Sequence, residues 1–119
     1  MPAFLLDINL QQLPDEYLTG EWRVADRVLN RTAPDSALAQ ATRFLLSPGT
    51  LTVEAPELEK IGSWNIQRDE LLQRPYLQLI LPQEDTRALI TRMRRSPDGQ
   101  ESRLNLYFLS GMELQLTRS

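Results

Sequence analysis

Cysteine and histidine are both missing from this chain. Without cysteine there is no disulfide, no thiol nucleophile and no thiolate metal site. Without histidine, the commonest general base and the commonest transition-metal ligand are gone as well. Long apolar runs are also lacking, and no stretch approaches the ~20 residues that a membrane-spanning helix needs. The opening MPAFLLDINL has a short apolar patch without a basic flank, and Asp7 interrupts it early, so no targeting segment is read there and the expected location is the cytoplasm. Asn30-Arg31-Thr32 matches the glycosylation pattern, but with no secretory signal it reads as a chance match.

What remains is ordinary for a folded domain: 41% hydrophobic and 24% charged residues in 119, enough to bury a core without covalent staples. Residues 1–119 are read as one domain. The net charge of −3 is unevenly spread. Residues 1–86 hold 7 basic and 13 acidic side chains, and residues 87–119 hold 6 basic and 3 acidic. The run Arg92, Arg94, Arg95 invites a nucleic-acid reading. An isoelectric point near 4.9, a single lysine and no aromatic residue among those arginines favour a solvated edge instead, with no nucleic-acid partner.

Short alternating runs separated by turn residues dominate the chain. In residues 20–29, Trp22, Val24 and Val28 share one face with Asp26, while Arg23 and Arg27 share the other. Residues 43–46 and 50–54 flank Ser47-Pro48-Gly49, a proline-glycine turn. Trp64 and Ile66 alternate with Ser63, Asn65 and Gln67, and residues 76–81 lie between Pro75 and Pro82. Residues 87–94 and 103–109 flank Ser96-Pro97-Asp98-Gly99, and residues 112–117 follow after Ser110-Gly111. Residues 13–18 suggest a short helical turn, and 34–42 a short helix. The expected fold is all-β: an eight-stranded antiparallel up-and-down barrel, closed because closure satisfies the two outer edges. A two-sheet β-sandwich is the alternative.

Leu18-Thr19-Gly20-Glu21-Trp22, Gly62-Ser63-Trp64-Asn65-Ile66 and a last strand ending in Arg118 resemble the lipocalin and broader calycin superfamily, in particular its compact bacterial lipocalin-like domains. The likeness runs from about residue 13 onward. It implies that Trp22 closes one end of the barrel and that Arg118 packs across it. The parity of the last strand agrees independently, since Arg118 lies on the face of Met112, Leu114 and Leu116. The chain departs from long lipocalins in lacking their threonine-aspartate-tyrosine triplet and a disulfide.

Catalytic chemistry is hard to place. Glu54, Glu57 and Glu59 gather beside Lys60, but Pro56 breaks their spacing and a solvated loop explains them; Asp85 and Asp98 fall in turns. No phosphate-binding or calcium-loop spacing occurs, so neither an enzyme nor a cofactor is expected. Phe44, Val53, Trp64, Leu79, Leu106, Phe108 and Leu114 are the inward candidates. They would line a pocket for a small hydrophobic ligand, or else simply fill the barrel. Asp26 shares their face by parity: either a polar anchor paired with an inward Arg92, or a residue at the mouth or past a bulge that turns it out. The leading expectation is a non-catalytic binder of a small apolar molecule. The alternative is a solid-cored interaction module or homodimer using the outward pairs Tyr76 and Ile80, or Tyr107 and Leu109.

Overall fold

Period-two alternation commits each strand to one wet and one dry face, and the turns between them are too short for anything but antiparallel pairing. The computed structural model describes residues 5–28, 36–82 and 84–118. A two-residue strand β1 (Leu6–Asp7) and two single 3₁₀ turns (Leu10–Gln12 and Asp15–Tyr17) precede β2 (Gly20–Val28). A one-turn helix α1 (Ala37–Gln40) leads to β3 (Arg43–Ser47), β4 (Thr50–Ala55), β5 (Leu58–Arg68) and β6 (Pro75–Leu81). The chain continues through β7 (Glu84–Arg95), β8 (Ser102–Phe108) and β9 (Glu113–Arg118). Each of the strands β2 to β9 pairs antiparallel with its sequence neighbour, and β9 returns to β2. The result is one closed, eight-stranded up-and-down barrel, so the sandwich alternative is set aside. The motif at Asn30 lies outside the described residues, as do the start of the expected 34–42 helix and the end of the expected first strand.

Two expectations are corrected at element level, and one element was not foreseen. The fourth barrel strand starts at Leu58, so Glu59 and Lys60 belong to β5, leaving Pro56-Glu57 as the turn. Asp85 lies within β7, not in a turn. Strand β1, which is too short to carry a pattern, pairs with the end of β7 at Arg94 and Arg95 and takes the place β6 has vacated there.

The inner faces make one continuous core. Trp22, Phe44, Leu51, Val53, Leu77, Leu79, Ile90, Met93, Leu104, Leu106, Phe108, Leu114 and Leu116 are all buried in it. Gly62 marks the place where β5 leaves β4 and begins to pair with β6. A side chain there would put its Cβ 1.9 Å from the Ile80 carbonyl oxygen, so the close crossing requires glycine.

Both ends of the barrel are covered. At one end the segment before β2 is held by arginines donating to its backbone. Arg68 reaches the Leu10 and Leu13 carbonyls at 2.8 and 3.0 Å, and Arg118 reaches those of Tyr17 (2.8 Å) and Thr19. The Arg118 guanidinium lies 4.2 Å from the centre of the Trp22 ring, whose Nε1 donates to the Leu18 carbonyl at 2.8 Å. Arg95 stacks 4.0 Å over Tyr17. At the other end, α1 buries Ala37, Leu38 and Ala39. Arg27 donates to the Ala39 and Ala41 carbonyls, and the Ser36 hydroxyl bonds Glu84.

Candidate functional site

The seven apolar candidates come together inside the barrel. Phe44 pairs with Val53, Trp64 with Leu79 and Leu106 with Leu114 across neighbouring strands, and each is buried, as is Phe108. Trp64 satisfies its indole by donating to the Ser47 carbonyl at 2.6 Å. All seven belong to the one hydrophobic core, and two of them, Leu106 and Leu114, also border a cleft shared with Asp26.

Asp26 and Arg92 do not join them, and the reason is the same for both. Strand β2 carries a bulge between Val24 and Asp26, and β7 carries one between Ile90 and Arg92. An extra residue reverses which face the following side chains occupy. Asp26 is therefore exposed and accepts from the Arg27 backbone N–H. Arg92 is exposed too and forms a two-pronged pair with Asp7 on β1, Nε to Oδ1 at 2.7 Å and Nη2 to Oδ2 at 3.3 Å. This pairing holds the Asp7 carboxyl below its ordinary value, and the charge of Arg94 adds to it. The two bulges face each other across Asn105 and Gln115, with a polar cleft of about 170 Å³ on that wall.

The largest of the described clefts lies elsewhere on the outer wall. The outward parity of three adjacent strands aligns Tyr76 on β6, Leu89 on β7 and Tyr107 on β8 as direct cross-strand neighbours. Leu109, just past β8, and Leu72, in the β5–β6 connection, extend this row into a groove of about 460 Å³. These side chains are open to solvent: Leu109 is 85% exposed, Leu72 52% and Tyr107 44%. A second cleft, about 400 Å³, shares Leu72, Arg74 and Leu89 and continues past Pro75 to Leu10 and Gln11.

The wall of the groove is a built loop. Asp69 accepts from the backbone N–H of Leu72 at 2.5 Å through Oδ1 and from that of Arg74 at 3.1 Å through Oδ2. These bonds, led by that of Leu72 and joined by the charge of Arg74, hold the Asp69 carboxyl below its ordinary value. The turn places Gln73 at φ +57°, a left-handed conformation that non-glycine residues adopt at a cost. Arg87 lies 5.6 Å over the Tyr76 ring, and neither Arg87 nor Arg74 forms an ion pair among the described residues.

Sequence reasoning had two alternative outward pairs, Tyr76 with Ile80 and Tyr107 with Leu109. The groove joins Tyr76 to the second pair and leaves Ile80 exposed outside it, and Asp69, Leu72, Arg74, Arg87 and Leu89 were missed. One signal was present. Leu71 and Leu72 are consecutive large apolar residues inside a polar turn, where solvated side chains are the rule. Among the described residues no group of three or more acidic side chains gathers as a metal site, and no helix is long and apolar enough to cross a membrane. No family model, curated protein or solved structure significantly matches the chain.

Proposed function

We propose that this barrel is a non-catalytic interaction module that binds a protein partner through the groove on the outer wall of β6, β7 and β8. One observation carries the reading: the inward apolar residues are packed into a continuous core, while the largest of the described clefts, which is mainly apolar, opens outward. Tyrosine and arginine, both present on this wall at Tyr76, Tyr107, Arg74 and Arg87, are enriched among the anchors of protein-binding surfaces. The absence of histidine and cysteine from the sequence agrees with a non-catalytic role.

The test is a selection of displayed peptides on the native protein, counter-selected on Leu109→Asp. Peptides that bind only the native surface, and that shift the backbone NMR signals of Leu72, Leu89 and Tyr107, support the reading. The competing reading is a small apolar ligand within the barrel. It gains if an apolar compound is extracted from protein purified from its own host and its addition moves only the inner signals of Val53, Trp64, Leu79 and Leu106. A concentration-dependent homodimer abolished by Leu109→Asp would make the partner a second copy.

A further inference from the structure

The groove's lining restricts what it accepts. Asp69 is the one carboxylate lining either cleft, and both of its oxygens are already engaged by backbone N–H groups of its own loop. The two guanidinium groups are in the opposite condition. Arg74 borders both clefts and Arg87 borders the larger one, yet neither has an ion-pair partner among the described residues. Arg87 is also steadied against the Tyr76 ring, which leaves the edge of its planar fork free to receive a carboxylate in two-pronged fashion. An apolar floor is thus flanked by two cations without an ion pair among the described residues, the charge of Arg74 acting on Asp69 only at longer range, in a protein whose overall charge is negative.

Shape restricts it further. Sites for small molecules enclose most of the ligand. Here the two clefts share Leu72, Arg74 and Leu89, and together they follow the outer wall from Leu109 to Leu10. An open path of this kind suits a length of polypeptide better than a compact molecule. We propose that the occupant is an acidic amphipathic segment of a partner protein, with apolar side chains against Leu72, Leu89 and Leu109 and carboxylates on Arg74 and Arg87. This rests on the interaction reading above and specifies its partner.

The experiment uses three fluorescent peptides with identical leucine positions and glutamate, glutamine or lysine at the intervening ones. Their binding to the intact protein is followed by anisotropy at low and high salt. The glutamate peptide is expected to bind about five- to tenfold more tightly than the glutamine peptide, with the lysine peptide weakest and the margin narrowing as salt rises. The double substitution Arg74→Glu, Arg87→Glu should reverse the order, with circular dichroism confirming an unchanged barrel. Equal binding of all three peptides, abolished by Leu109→Asp, would overturn the acidic preference while leaving the groove as a docking site. No binding by any of them, with no movement of the groove's NMR signals, would overturn both.

Discussion

Arg118 does at one residue what no other side chain in the sequence could do. Its planar cation covers Trp22 while its donors reach two carbonyls of the segment that closes the barrel. Lysine could supply the charge but not the fork. Arg118→Ala should therefore lower stability by about 2 kcal/mol, the sum of a stacked cation and a charged donor to backbone, and Arg118→Lys by about 1 kcal/mol. Urea titration of both variants measures the difference; equal losses would mean that the guanidinium geometry is irrelevant. This pair was legible in the sequence because Arg118 shares parity with Leu114 and Leu116 in an unbroken strand. For Asp26, parity alone left two readings open, and the extra residue in β2 decides for the one past a bulge that turns it out. The clue lay in the neighbouring case: the buried positions of β7 run Ala88, Ile90 and then Met93, a switch from even to odd that marks the bulge.

At the scale of elements, the sequence carries strands and turns well and crossings poorly. Turns declare themselves through residue type, as Ser47-Pro48-Gly49 and Ser96-Pro97-Asp98-Gly99 do. The change of partner along β5, from β4 to β6, leaves no mark except Gly62, which reads as an unremarkable glycine until Ile80 is seen against it. Gly62→Ala must force the two strands apart, because the obstruction is backbone and not a flexible side chain. A loss of more than about 3 kcal/mol is expected, among the largest that a single methyl group can produce. Thermal unfolding followed by circular dichroism would show it; a melting temperature within a degree or two of the parent would contradict the close crossing. The groove was half legible for a related reason. Parity exposes Tyr76 and Tyr107, but only the three-dimensional path of the Asp69–Arg74 loop brings Leu72 beside them.

For the molecule as a whole, the two ends of the barrel respond differently to acid. Among the described residues three carboxylates are held below their ordinary value, and all three lie at the end closed by the segment before β2. Asp7 is bound first by Arg92, Asp69 by the Leu72 N–H, and Asp98 by the Ser96 hydroxyl. A carboxylate with a lowered folded value contributes stability that is complete above its ordinary value near 3.8 and is lost as pH falls through the folded one. Hydrogen exchange below that ordinary value should therefore accelerate first in β1, the Asp69–Arg74 loop and the Ser96–Glu101 turn. The amides around α1 should follow later, and uniform acceleration at both ends would contradict this order.

Closure of the barrel also has a consequence in time. The strand that seals β2 is β9, separated from it by nearly the whole described chain. Before β9 docks, seven strands can pair with their neighbours while β2 and β8 still present unsatisfied edges. A substitution that slows the docking of β9 would lengthen the life of that open ribbon. Aggregation during folding should therefore depend more on the rate at which the last strand docks than on the stability of the finished protein.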